Sequence, residues 1–177
     1  QDILLFGVCD NIKVAIKNNI IITVSSTTEA KFIQTKKLHP RIHIAINTGM
    51  NRFGLSSVHE LRKTLAILKQ EHVEGVYTHL AYEKDNLTAV KNQISLFKKF
   101  TGICQKTFPQ ILIHAGCSGV IDYPPAHFNM VRIGKALYGG IPETQTAITV
   151  TSQIIATQKI KTNTTVGYNG TFTTSQP

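Results

Sequence analysis

The chain has 177 residues, 42% hydrophobic and 16% charged, which fits one folded soluble domain, or one domain and part of a second, and excludes a disordered chain. Its formal net charge of +9 comes from 15 Lys and 4 Arg set against 10 acids, and the lysines are scattered singly or in pairs, so a solvated basic surface is expected and not a nucleic-acid stripe. No apolar run is long enough to cross a membrane, and Cys9, Cys104 and Cys117 lack zinc or disulfide spacing; a cytoplasmic setting without metal is expected.

Apolar, β-branched runs at Ile3–Phe6, Ile20–Val24, Ile42–Ile46, Val76–Leu80, Ile111–Ile113 and Met130–Ile133 are each about a strand long. Several are continuously apolar, as in parallel strands covered on both faces. Helical patterns lie between them. Short helices are expected at Asn11–Lys17 and Glu29–Lys37. Ser57-x-x-Glu60 reads as a capping box before Val58, Leu61, Leu65 and Leu68, in a helix ending near Gln70. Val90, Ile94 and Phe97 share one face of another helix, from about Leu87 to Phe100. This alternation predicts right-handed βαβ units in a parallel α/β barrel or a doubly wound sheet, and the absence of dinucleotide and Walker motifs favours the barrel. Beyond Pro142, Ala147–Ile155 and Val166–Phe172 are rich in Thr and β-branched residues and read as the start of a β domain. The expected division is 1–142 and 143–177. A start without methionine inside a strand-like run, and an end soon after another run begins, suggest a fragment.

Barrel sites lie where strands give way to βα loops. Polar groups cluster at such places here: Asn47 to Arg52 after the third run, Thr78-His79 within the fourth, His114, Cys117 and Ser118 after the fifth, and Arg132 with Gly134 closing the sixth. Two of the four arginines belong to this set, flanked by apolar residues and glycine, where arginine usually holds an anion or a planar polar group. Ser118 and Gly134 sit where barrels commonly bind phosphate, so a phosphorylated cofactor is expected.

Four stretches in order, Asn47-Thr48-Gly49-Met50-Asn51-Arg52-Phe53-Gly54, Glu74-Gly75-Val76-Tyr77-Thr78-His79-Leu80-Ala81, His114-Ala115-Gly116-Cys117-Ser118-Gly119 and Phe128 to Gly139, closely resemble signatures of the alanine racemases, which are pyridoxal-phosphate enzymes. Gln93 with Phe97, and Val166-Gly167-Tyr168 with Thr171-Phe172, agree as well. The resemblance implies about strands three to eight of a TIM-type (β/α)8 barrel and the start of a C-terminal β domain. By the same resemblance, Arg132 faces the pyridine nitrogen of pyridoxal 5'-phosphate, His79 hydrogen-bonds and orients Arg132, and Arg52 lies near the substrate carboxylate. Ser118, Gly134 and the amide of Lys135 contact the phosphate. The implied activity is two-base interconversion of L- and D-alanine for peptidoglycan, in a homodimer that shares its active sites.

The sequence also departs from the family pattern. Ala45 stands where a carbamylated lysine is frequent, Asn47 where aspartate is common, and Cys117 where asparagine is usual. No stretch matches the motif of the cofactor-bearing lysine, and the partner's tyrosine base is missing too, so no catalytic base is expected here and the segment alone is expected to be inactive. Other readings are a racemase of another amino acid such as serine, a membrane-linked racemase domain, and a non-catalytic pyridoxal-phosphate barrel.

Overall fold

The computed structural model describes residues 1–142 and 144–176, in two compact units, Gln1–Ala147 and Ile148–Pro177. The first holds six parallel strands in sequential order, β1 (Ile3–Leu4), β2 (Ile20–Val24), β3 (Arg41–Ile46), β4 (His72–Thr78), β5 (Leu112–Cys117) and β6 (Met130–Arg132). Helices α1 (Ile12–Lys17), α2 (Thr27–Thr35), α3 (Val58–Leu68) and α4 (Leu87–Thr107) join the first five. Two 3-10 turns, Ser118–Val120 and Pro124–Ala126, lie between β5 and β6. The architecture is a partial (β/α)8 barrel. No helix among the described residues is long and apolar enough to cross a membrane.

Alternation along the strands divides the side chains between two faces. Ile42, Ile44, Ile46, Val76, Ile113 and Ala115 turn outward into one core with Leu61, Leu65 and Leu68 of α3 and Phe97, Phe100 and Cys104 of α4. The opposite face of β3 to β6 carries His43, Gly75, Tyr77 and His114, so the barrel interior is more polar than its wall.

Local signals place the helix starts. Ser26 and Glu29 form a complete capping box on α2, whose start precedes the expected Glu29 by two residues. On α3 the Ser57 hydroxyl accepts from the Glu60 amide, but the Glu60 carboxylate accepts from the Ser56 amide, so only half of the expected box forms. Helix α4 continues to Thr107, past the expected Phe100, because Phe100, Thr101 and Cys104 keep its buried face going.

The expected strand at Ala147–Ile155 does not form, since no neighbouring strand among the described residues completes its ladder. The run Val166–Phe172 folds back on itself as an antiparallel pair, β7 (Thr165–Val166) with β8 (Phe172–Thr173), around the left-handed residues Gly167, Asn169 and Gly170. The Ala147 amide donates to the Leu137 carbonyl at 2.9 Å, which holds the end of the first unit to the turn after β6.

Gly54 closes the loop after β3. Its φ is +116°, and a Cβ there would lie 2.8 Å from the Asn47 amide nitrogen. Gly54→Ala is expected to destabilise the first unit by about 2 kcal/mol or more through strain and backbone contact, as read from its urea midpoint.

Candidate functional site

Arg132 ends β6 at the mouth of the barrel, half-buried. Its Nη1 donates to Nδ1 of His114 at 2.6 Å, and its Nη2 donates to the carbonyl oxygens of Thr78 and Ala115 at 2.8 and 3.3 Å. Guanidinium can only donate, so His114 Nδ1 is the lone-pair nitrogen and the neutral ring carries its proton on Nε2. That N–H donates to Nδ1 of His43 at 2.9 Å, which by the same logic leaves His43 protonated on its own Nε2. One directed chain therefore runs from Arg132 through His114 to His43.

Aromatic faces complete the surroundings of the cation. The guanidinium carbon lies 5.5 Å from the centre of the Phe6 ring and 5.4 Å from that of Tyr77, which itself stacks on His114 at 5.1 Å. The Tyr77 hydroxyl donates to Thr23 Oγ1 at 3.0 Å, and Thr23 donates onward to the Leu5 carbonyl at 2.8 Å. Among the described residues, no carboxylate bonds to Arg132. Burial draws its proton affinity below the ordinary arginine value, with the Tyr77 phenol and Cys117 thiol pulling the other way. Desolvation, reinforced by Arg132, holds His114 down to about 2, and desolvation, opposed by Glu74 and aided by Arg41 and Arg132, holds His43 down to about 4. Both rings are neutral near pH 7.

A second set of contacts fixes the two loops beside the mouth. Gln93 of α4, buried, accepts from the Ala81 amide at 3.0 Å and donates to the Thr48 carbonyl at 3.2 Å, while Thr48 and Thr78 share a hydroxyl bond of 2.8 Å. The exits of β3 and β4 are thereby tied to one helix. Ser118, buried at the end of β5, accepts from the amides of Gly134 and Ala136 at 3.1 and 3.2 Å. Its hydroxyl hydrogen has no acceptor among the described residues, and a Cβ at Gly134 would meet nothing within 4 Å. Lys135 pairs through Nζ with Glu83 at 3.5 Å.

Among the described residues, no hydrogen bond joins His79 to Arg132. The run Val76–Leu80 predicts His79 inside the fourth strand, but β4 ends at Thr78 and His79 stands on the loop that follows, while the guanidinium bonds to His114 in the middle of β5. His114, expected beyond the fifth strand, lies within β5 directly across from Tyr77 and takes the orienting bond. The Nδ1 of His79 is buried without a partner among the described residues, and burial, then Arg132 and Arg52, lower its proton affinity. His79 lines a small cleft with Ala45, Tyr77 and Arg52. Arg52 is exposed and lies over the Phe53 ring at 4.9 Å. Asn47 does not orient Arg52: its Oδ1 accepts from the amides of Gly49 and Asn51 and so shapes the loop.

Sequence motifs alone assign no role to His114 or His43. The signal that points to them is period-two alternation, which puts His43, Tyr77 and His114 on one face, while the apolar neighbours of both histidines suit a core strand.

Fold and mouth together define a parallel α/β-barrel protein whose strand exits present a cation with neutral partners beside a hydroxyl and amide cradle. A family model described as alanine racemase, N-terminal domain, matches residues 1–142, and the chain belongs to that family. It is 30% identical to the alanine racemase of Streptococcus uberis, with 98% of this chain aligned to 51% of that protein, and 34% identical to the alanine racemase of Methanococcus maripaludis, at 98% and 52%. In fold it matches the alanine racemase of Clostridium difficile 630 with a TM-score of 0.75, and that of Bacillus anthracis with bound L-Ala-P at 0.74. Each is 24% identical and aligns 99% of this chain with 51% of the other. The chain thus spans about half the length of the relatives it matches.

The two buried rings set an acid limit. Their folded-state proton affinities lie far below the usual histidine value near 6.5, so the unfolded chain binds more protons below that pH, and stability present above pH 6.5 is lost as pH falls towards 4. Urea midpoints are expected to drop between pH 6.5 and 5, on the order of 2 kcal/mol for each ring. Uptake of about two protons on unfolding near pH 5 is the accompanying measure.

Proposed function

We propose that this chain is the barrel side of an enzyme that interconverts L- and D-alanine with pyridoxal 5'-phosphate. The observation that carries the reading is Arg132: a guanidinium fixed by one imidazole and two carbonyls, with no carboxylate bonded to it among the described residues.

The residues present fit that cofactor. Ser118 accepts two backbone N–H bonds and keeps its own hydrogen for a phosphate oxygen, and the open space over Gly134 lets an anion approach the backbone closely. Lys135 begins the turn Lys135–Tyr138 beside this cradle, which supports its amide as a further phosphate donor. Bound pyridoxal phosphate supplies an electron sink that makes the α-hydrogen of an amino acid acidic.

The chain's own part is to bind and orient. Arg132 presents a permanent cation, and a cofactor ring nitrogen held against it would gain little of its proton, so the bound group would supply a weaker electron sink that disfavours side reactions. Arg52, exposed at the tip of the loop after β3, is available for a bidentate bond to a carboxylate. The buried Nδ1 of His79 has no hydrogen-bond partner among the described residues, which supports a role beside the ligand. The proton transfers themselves are assigned to a lysine and a tyrosine outside this segment, with the tyrosine from the second subunit of a homodimer; this chain by itself is expected to be inactive.

Two measurements on the complete protein test the reading. Ser118→Ala is expected to weaken pyridoxal-phosphate retention roughly ten- to hundredfold, the equivalent of one charge-assisted hydrogen bond, and to leave turnover at saturating cofactor much less affected. An unchanged dissociation constant removes Ser118 from the site. Arg132→Glu is expected to raise keto-acid formation relative to racemisation, since a carboxylic acid shares a proton that guanidinium keeps. Equal partitioning in both proteins shows that Arg132 does not face the ring nitrogen.

A further inference from the structure

His43 lies inside the barrel on β3, buried, and belongs to none of the groups assigned to the ligand. Its Nδ1 accepts the Nε2–H of His114 at 2.9 Å. Two neutral imidazoles in contact permit either direction of donation, and the direction here follows from the far end: Arg132 has only hydrogens to offer, so His114 must accept on Nδ1 and donate on Nε2. The Nε2–H of His114 makes no other bond among the described residues. Without an acceptor at His43 it would be a buried, unsatisfied donor, and the ring would gain by turning or by exchanging tautomers, either of which breaks its bond to Arg132.

Space for this arrangement is provided by one residue of the neighbouring strand. Gly75 lies across from His43 in the β3–β4 ladder, and a Cβ there would come within 2.6 Å of Cε1, Nδ1 and Nε2 of the imidazole. The strand that packs on His43 is thus cut away where the ring sits. Glu74 and Asp2, both paired with Arg41 at 2.6 Å, are the charged groups on its other side.

We propose that His43 is a positioning residue for Arg132: by accepting the Nε2 proton of His114 it fixes the tautomer whose Nδ1 holds the guanidinium, so the cation at the barrel mouth is aimed from inside the barrel. The proposal rests on the reading of Arg132 as the group that meets the cofactor ring. It extends that reading two residues deeper and names a group that touches neither ligand nor reacting atom.

The test uses the chain with 15N-labelled histidine and arginine. Imidazole 15N shifts between pH 5 and 8 are expected to show both His43 and His114 neutral and protonated on Nε2. A His43 protonated on Nδ1 overturns the proposal without any substitution. His43→Leu removes the acceptor, and His43→Asn returns one near the position of Nδ1. In the leucine variant His114 is expected to lose its single-tautomer signature, and the Arg132 Nη protons to exchange with water about tenfold faster or more, as for loss of one hydrogen bond to a charged group. The asparagine variant is expected to restore both, a rescue that a merely space-filling role does not produce. Gly75→Ala, which crowds the ring and alters no polar atom, is expected to act like His43→Leu. Unchanged Arg132 exchange in His43→Leu and Gly75→Ala overturns the proposal. A chain with the stated tautomers that binds no added pyridoxal phosphate overturns the cofactor reading and leaves the positioning role standing.

Discussion

Arg132 donates to one imidazole nitrogen and two carbonyl oxygens, and each of these partners is neutral. A carboxylate in the same place would hold the guanidinium more tightly and cancel its field at the mouth; neutral acceptors hold it and leave the charge intact. Desolvating a cation on these terms costs energy, and the rings of Phe6 and Tyr77 offset part of that cost. The polar interior of the segment follows from this one requirement. His114 must be neutral with its lone pair on Nδ1, His43 must accept behind it, and Gly75 must leave room.

The scaffold meets these demands with ordinary α/β packing. Isoleucine, valine and alanine on the outer face of the sheet bury against α3 and α4 and supply the main apolar core. That separation frees the inner face of β3 to β6 for polar side chains. Gln93 joins the two loops beside the mouth to α4, and the Arg41 pairs with Glu74 and Asp2 join β1, β3 and β4 at the opposite end. Positions at both ends of the strands are therefore held by polar contacts and their middle by apolar ones.

The departures from the family pattern are absorbed locally. Ala45 is buried in the wall, and its carbonyl accepts from the Leu55 amide, so β3 runs through this position without needing a charged side chain. Asn47 turns its amide group back onto Gly49, Asn51 and Ser56 and so stiffens the loop. Arg52 is exposed at that loop, lies over the Phe53 ring and lines the small cleft beside His79.

Strand and helix order, the parallel barrel class and the four motifs were legible in the residues themselves, because period-two and 3.6-residue patterns and turn chemistry are local properties. Arg132, Ser118 and Gly134 stand out as candidates in the same way, from their position within or just past apolar runs. The partner of Arg132 does not. Choosing His114 over His79 depended on β4 ending at Thr78 and on β5 lying across from it in a register that puts His114 beside Tyr77, and register is set by pairing between distant segments. The same holds for the strand expected at Ala147–Ile155, whose composition suits a ladder that only a neighbouring strand can complete. His43 shows the division most plainly: the sequence offers a histidine between two isoleucines, and only the packing of three strands places its lone pair against His114 and gives it something to do.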